Sequence, residues 1–378
     1  MNQHHLLQGK IKIWIEYLKR LGNTIKTKGC FNTTSVERVF SVLERKEPDI
    51  VPNFEWKVAP NLIEAFVGGG DYFDFVEKTE HDVVCTAPLY KKIKCIDEDT
   101  FIDEFGITRH FTGPDKYSVA IVHPIKSLSD MKSYEPPPLE SNLRFKKIDT
   151  AVKRFKGNKA ILVNLHDVLS FPRDLRGLEA LLRDFILCPE LVREMVGFSV
   201  DYNIELARLA KKHGAEIIGI GDDFADNKGP FVSPEMFRRF LYPEMKRVVK
   251  AYKNLGFYVI KHSDGNLMPI IDMIIETGVD CLDPIDPLAG MDIGFIKQKY
   301  GDRIAIKGNI NCVTTLQNGT PQEVEKEVKE CIKKAAPGGG YIISSSNSLH
   351  AGVKPELYQV MLDSIQKYGV YPIKLENG

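Results

Sequence analysis

A histidine and an aspartate stand two residues apart in the stretch GFYVIKHSDGNLMPII, residues 256–271. The stretch turns from apolar to polar and back, as where a buried strand gives way to a helix. Side chains at i and i+2 of an extended segment point the same way. His262 and Asp264 can therefore offer an imidazole nitrogen and a carboxylate oxygen to one point. Such a pair suits three roles. It can give two ligands to a divalent metal; zinc would then need one or two more and an open position. It can be a general base with its orienting carboxylate. It can also be structural, with His262 bonded to the rim and Asp264 capping the next helix.

Other apolar runs end in the same manner. DIVPNFEW closes on Glu55 and Trp56, and KAILVNLH on Asn164 and His166, with Asp167 next. AEIIGIGDD closes on Asp222 and Asp223, VDCLDPI carries Asp283 with Asp286 just beyond, and RIAIKGN carries Lys307 and Asn309. GYIISSSN ends in Ser344, Ser345, Ser346 and Asn347, followed by His350. The catalytic candidates are His262, Asp264, Asp222, Asp223 and Glu55, and the metal ligands expected among them are His262, Asp264 and Glu55. Trp56, His166, Asn309, Ser345, Ser346 and Asn347 are expected to contact a small-molecule substrate. Adjacent carboxylates point differently, so one of Asp222 and Asp223 should face the site while the other caps a helix or meets an arginine.

The elements that must position these residues follow a simple rhythm. Eight strand-like segments run from DIVPNFEW to GYIISSSN, most followed by a helical stretch. They are continuously apolar rather than alternating, as in a parallel sheet covered on both faces. Eight such units predict a TIM (β/α)8 barrel, whose chemistry sits at the C-terminal ends of its strands. An open dinucleotide-binding sheet would want GxGxxG after the first strand, where the chain reads PNFEWKVAP. A change of period at residues 91–140 predicts a small β-rich insert after strand two, with short antiparallel strands in KKIKCIDE, FIDEFGITRHF and YSVAIVH. PPPL at 136–139 closes it as a stiff linker. Residues 1–33 read as an N-terminal helical extension, with an amphipathic basic helix at 6–21, and residues 34–378 as the barrel.

Composition narrows the class. The chain has 378 residues, 43% of them hydrophobic, enough for a large core. Lys+Arg and Asp+Glu are 51 each, so nothing favours nucleic acid or a charged membrane as partner. No apolar run approaches the roughly 20 residues of a membrane helix, and the N-terminus lacks the apolar core of a signal peptide. Seven scattered cysteines, without a CxxC pair, fit a reducing cytoplasm.

The segments TTSVERVFSVLERKEPDIVPNFEW, SPEMFRRFLYPEMKRVV, VIKHSDGNLMPIIDMIIETGVDCLDPI, GDRIAIKGNIN and PGGGYIISSSNSLHAGVKPELYQVM resemble the uroporphyrinogen decarboxylase superfamily. The resemblance covers nearly everything from about residue 34 onward and implies a TIM barrel. It implies one of two activities. The decarboxylases carry arginines after strand one and a Ser-Asp motif after strand two, where this chain reads EWKVAPN and TAPLY. The corrinoid-dependent methyltransferases bind zinc through His-x-Cys after strand five and a cysteine after strand eight. Here those positions read His262-Ser263-Asp264 and about Asn347, so the histidine carries over and the thiolates do not.

The expected function is therefore corrinoid-linked methyl transfer, with zinc or another divalent metal at the barrel mouth and a cobalamin carried by a partner corrinoid protein. Decarboxylation of uroporphyrinogen or a smaller carboxylate is the alternative, and a non-catalytic corrinoid or tetrapyrrole binder a third. A cytoplasmic location is expected, and a homodimer is one arrangement open to such a chain.

Overall fold

The structure, a computed structural model, describes residues 33–115, 117–141 and 143–374. The helix expected at 6–21 lies outside the described residues. Seven parallel strands form one curled sheet in the order β1 (Val83–Thr86), β6 (Ala160–Leu165), β7 (Ile217–Gly221), β8 (Tyr258–His262), β9 (Cys281–Asp283), β10 (Ala305–Ile310) and β11 (Tyr341–Ser345). The first expected strand, DIVPNFEW at 49–56, is reduced to isolated bridges. It still occupies the gap between the sheet's edges. The Asp82 N–H donates to Asn53 O at 2.9 Å beside β1, and the Ile343 N–H donates to Pro52 O at 3.0 Å on β11. The fold is a TIM-like α/β barrel, as the apolar runs predict.

Alternation within each strand sorts the core. Val83, Leu162, Ile217, Ile260, Cys281, Ala305 and Ile342 join Val39, Val42 and Leu43 of the helix Ser35–Leu43 in one cluster. Their strand neighbours, such as Val163, Ile218, Val259, Leu282 and Ile306, pack with the outer helices in a second, larger cluster. Every strand is thus apolar on both faces until its C-terminal end, where polar side chains begin.

The insert is a four-stranded antiparallel sheet, β2 (Lys92–Cys95), β3 (Thr100–Asp103), β4 (Thr108–Thr112) and β5 (Tyr117–Val122), in that order. FIDEFGITRHF divides into two strands because the Asp103 carboxylate turns the chain, accepting the N–H groups of Phe105 at 2.9 Å and Ile107 at 3.0 Å. Another difference from expectation lies in SPEMFRRFLYPEMKRVVKAYKNLG. Rather than a uniform α-helix, Phe237–Leu241 is a π-helical turn, with the Tyr242 N–H donating to Phe237 O. Pro243 follows and offers no N–H, which is where the ordinary ladder must shift. Among the described residues, no helix is long and apolar enough to cross a membrane.

One core group makes stability depend on pH. His81 is fully buried, with Nε2 2.7 Å from the Tyr358 hydroxyl. Burial, with help from Lys159 and Lys307, pushes its pKa down to about 3. Unfolded His takes a proton near pH 6.5 and folded His81 does not, so stability falls as pH drops from 6.5 toward 3. At pH 5 this amounts to about 2 kcal/mol. The stability difference between wild type and His81→Gln, measured by urea unfolding at pH 7 and pH 5, should shift by that amount in favour of the variant. An unchanged difference would contradict a neutral buried His81.

Candidate active site

Two loops are laced together at the barrel mouth. One follows β7 and carries Asp222 and Asp223; the other follows β8 and carries Ser263, Asp264 and Asn266. The Phe224 N–H donates to Ser263 Oγ at 2.9 Å, the Asp264 N–H to Asp223 Oδ1 at 3.1 Å, and the Asn266 N–H to Asp226 O at 2.8 Å. Gly265 permits the approach. Its φ is +88°, and a Cβ there would lie 2.6 Å from the Ala225 carbonyl carbon. Only glycine tolerates both conditions.

The lacing brings three ligand-type groups together. His262 Nε2 lies 3.6 Å from Asp264 Oδ1 and 3.8 Å from Asp223 Oδ1. One donor atom from each of Asp223, His262 and Asp264 falls within 4.8 Å of the others. The His-x-Asp spacing therefore does place both groups toward one point, and Asp223 is the acid that joins them.

The other ring nitrogen is fixed from below. Strand register sets His262 opposite Asp283, and His262 Nδ1 lies 2.6 Å from Asp283 Oδ2. That oxygen also accepts from Trp56 Nε1, while Oδ1 accepts from Lys307 Nζ at 2.7 Å. Asp283 and Lys307 are both buried. Burial raises the Asp283 carboxyl, but Lys307 and His262 outweigh it and leave its pKa below the ordinary value. Burial lowers His262, yet the Asp283 hydrogen bond and the charges of Asp283, Asp264 and Asp223 raise it on balance. Asp283 thus remains an ionised acceptor and assigns the Nδ1 proton of His262. Trp56 is a positioning residue here, edge-on to the imidazole with ring centroids 5.6 Å apart. It fits because residue 219 is glycine, where a Cβ would lie 2.3 Å from the indole.

These residues fit a divalent cation. A metal-bound histidine nearly always gives its second N–H to a carboxylate, a backbone carbonyl or water, and His262 has Asp283 for this. Asp264 Oδ2 accepts from Asn347 Nδ2 at 2.5 Å, but its buried Oδ1 has no hydrogen-bond partner. Burial, with the neighbouring Asp223, Asp283 and Asp286, raises the Asp264 carboxyl to about 6, against the pull of His262. A cation beside Oδ1 would satisfy that oxygen. One imidazole nitrogen and two carboxylates form a harder donor set than one built on thiolates.

The other expected site residues are placed differently. Glu55 lies outside the group of three. Its oxygens accept the Ser345 N–H at 2.9 Å and the Ser345 hydroxyl at 2.6 Å, which fastens the first segment to β11. Ser346 faces Cys312, receiving that residue's N–H at 3.2 Å. Asn309 turns toward the outer helices, with Nδ2 on Ile285 O at 2.8 Å and Oδ1 3.4 Å from Cys331 Sγ. The reason is Gly308 before it, whose φ of +126° interrupts the strand's alternation. His166 is partly exposed, with Nδ1 3.6 Å from Asp222 Oδ1.

Asp222 is buried and caps a helix. Its Oδ2 accepts the N–H groups of Leu169 at 2.7 Å and Ser170 at 2.9 Å, at the start of the helix Ser170–Arg176. Burial raises its carboxyl, but Asp167, His166 and Lys261 carry it well below the ordinary range. Asp167 moves the other way, driven up by burial and by the Asp222 charge, against the pull of Lys261, whose Nζ lies 2.9 Å from its Oδ2. The two adjacent acids should therefore separate in experiment. Asp222→Ala should lose about 2 kcal/mol of stability as a removed buried cap. Asp223→Ala should lose less, about 1 kcal/mol for the Asp264 N–H bond it removes, yet bind metal more weakly. Urea unfolding and metal titration on both variants check this, and a reversed pattern would refute the assignment.

Asp283 and Lys307 are the supporting residues that the strand-end reading named without assigning a role. Their signal was a buried acid and a buried base on neighbouring strands.

The chain is similar to known proteins over much of its length. The uroporphyrinogen decarboxylase (URO-D) family model matches residues 100–368. A methylated-thiol–coenzyme M methyltransferase of Methanosarcina mazei is 24% identical over 185 residues, 49% of this chain and 48% of that protein. A methylcobamide:CoM methyltransferase MtbA of the same organism is 25% identical over 218 residues, 56% of this chain and 61% of that protein. The chain thus spans about half to three-fifths of these two relatives' length. A uroporphyrinogen decarboxylase of Pseudoalteromonas atlantica is 21% identical over 373 residues, 89% of this chain and 98% of that protein. A solved methyltransferase from Methanosarcina mazei superimposes with a TM-score of 0.72 at 16% identity, covering 89% of this chain and 99% of its own. With most of its length matched by the family model and the same barrel beneath it, the chain belongs to the uroporphyrinogen decarboxylase family.

Proposed function

We propose that the protein is a methyltransferase that works with a corrinoid carried by a separate protein and holds a divalent metal at His262, Asp264 and Asp223. The observation that carries this reading is the three-residue cluster itself, with Asp264 Oδ1 unpartnered and His262 Nε2 turned toward it. The named activities of the two Methanosarcina relatives support it. A bound divalent ion would supply Lewis acidity at the heteroatom that gives or takes the methyl group. The chain's own residues do the positioning. Asp283, charged through its contact with Lys307, keeps the His262 proton on Nδ1 and leaves Nε2 free as a donor atom. Asn347 orients Asp264 from the β11 side. Trp56 and Phe54 pack against Lys307, with ring centroids 5.8 and 4.7 Å from Nζ, and keep water from the buried pair.

The test is demethylation of methylcobalamin with a thiol acceptor, followed in the visible spectrum. Turnover should stop with EDTA, return with added divalent metal, and be lost in His262→Ala. Decarboxylation of uroporphyrinogen that is indifferent to EDTA, without methyl transfer, would overturn the reading. One observation favours that second activity. Burial raises the Glu55 carboxyl to about 7, although Lys307 and Ser345 pull it down. An acid poised near neutrality suits proton delivery to carbon.

A further inference from the structure

A pocket of about 270 Å³ adjoins the three-residue cluster. Its lining includes Tyr117, Asp286, Leu288, Cys312, Val313 and His350. Two contacts connect it to the site: Asn347, also in its wall, bonds Asp264 at 2.5 Å, and Asp286 Oδ2 accepts the Gly265 N–H at 3.1 Å.

The pocket's polar groups have a definite character. His350 Nδ1 accepts the Gly352 N–H at 3.1 Å, which leaves the ring proton on Nε2. Nε2 is buried and has no hydrogen-bond partner, so it is an unused donor. The Tyr117 hydroxyl, also buried, makes no hydrogen bond of normal geometry and has the Ser348 side chain as its polar neighbour. Tyr117 comes from the insert, and the insert is tied to this wall: the Ala351 N–H donates to Asp115 Oδ1 at 2.6 Å. Asp286 is already engaged by backbone N–H groups, including that of Leu288 at 2.9 Å. Among the described residues, no lysine or arginine lines the pocket. Lys57 Nζ stands over the Tyr117 ring at 5.2 Å but is not part of the lining.

A buried donor left unmade is costly, and an anion in the pocket would stand beside the Asp286 carboxylate, with no lysine or arginine among the described lining residues to offset it. The space holds about nine groups the size of water. From these observations we infer that the pocket is the subsite for the neutral, oxygen-bearing end of a small substrate, an alcohol or ether. His350 Nε2–H donates to that oxygen and Tyr117 from the insert is the second contact. The inference rests on the cluster of Asp223, His262 and Asp264 being the reaction centre, and it gives the insert a role as one wall of the substrate site.

Saturation-transfer NMR on the full chain tests it with two probes of similar size, neutral 2-methoxyethanol and anionic methoxyacetate. Wild type should bind 2-methoxyethanol, and bind methoxyacetate about tenfold or more weakly. His350→Leu should weaken 2-methoxyethanol about tenfold, the value of one hydrogen bond, and His350→Gln should recover part of it. Tyr117→Phe, which removes only the hydroxyl, should weaken it less. Absence of 2-methoxyethanol binding in wild type, equal or tighter methoxyacetate binding, or an unchanged His350→Leu would each overturn the inference. Metal content measured on the same samples separates the two readings. If the subsite is wrong, metal is retained while the binding pattern fails. If the metal centre is wrong, wild type lacks metal whatever the probes do.

Discussion

Replacing Lys307 by Met should destabilise the protein by about 3–5 kcal/mol, the cost of leaving one partner of a buried ion pair alone. Lys307 is 1% exposed and Asp283 fully buried, with 2.7 Å between Nζ and Oδ1. Methionine fills similar space against Phe54 and Trp56, so packing loss contributes little. The penalty comes from the Asp283 carboxylate, which loses its cation while still receiving the Trp56 and His262 protons. Replacing both charged residues by apolar ones should recover only part of the loss, because the uncompensated charge disappears but the Trp56 and His262 N–H groups lose their acceptor. Urea unfolding of wild type, Lys307→Met and Lys307→Met/Asp283→Leu gives the three values. A single variant within 1 kcal/mol of wild type would show that Asp283 is not held as a charged group by Lys307.

Asp283→Asn should weaken divalent metal binding about 10- to 100-fold without touching a ligand. Asp283 presents one oxygen to two donors, the His262 and Trp56 N–H groups, and the other to Lys307. An amide has one acceptor oxygen, so one side of the residue must then meet donors with an NH2 group. Either His262 loses the acceptor that fixes its proton on Nδ1, or Lys307 loses its partner. The first outcome randomises the tautomer and orientation of the proposed ligand; the second destabilises the fold. Calorimetric titration with zinc and manganese measures the affinity, and unfolding on the same sample keeps the effects apart. Unchanged affinity in a folded Asp283→Asn would remove Asp283 from the support of the site.

Much of this arrangement was legible in the sequence, for reasons that differ between residues. The barrel was visible because strands buried on both faces must be apolar along their length, so each polar residue that follows marks a strand end. His262 and Asp264 were legible as a pair because their spacing is local. That Asp222 and Asp223 divide between cap and site also follows from adjacency. Which does which depends on the lacing of the two loops at Gly265, a contact between strands with no local signature. Asp283 and Lys307 were visible as strand-end groups, but their pairing depends on register between β9 and β10. Glu55 was read as a ligand because it ends an apolar run. Its true partner, Ser345, is 290 residues away and meets it only because the barrel closes. Asn309 misled for a backbone reason, since Gly308 breaks the alternation on which the reading depended.

The central claim, a divalent cation held by His262, Asp264 and Asp223, is tested most directly by elemental analysis of the purified protein beside His262→Ala, Asp264→Ala and Glu55→Gln. The account predicts near-stoichiometric divalent metal in wild type and in Glu55→Gln, and its loss in the His262 and Asp264 variants. Wild type that takes up no divalent metal even from excess, or folded His262 and Asp264 variants that keep theirs, would contradict it.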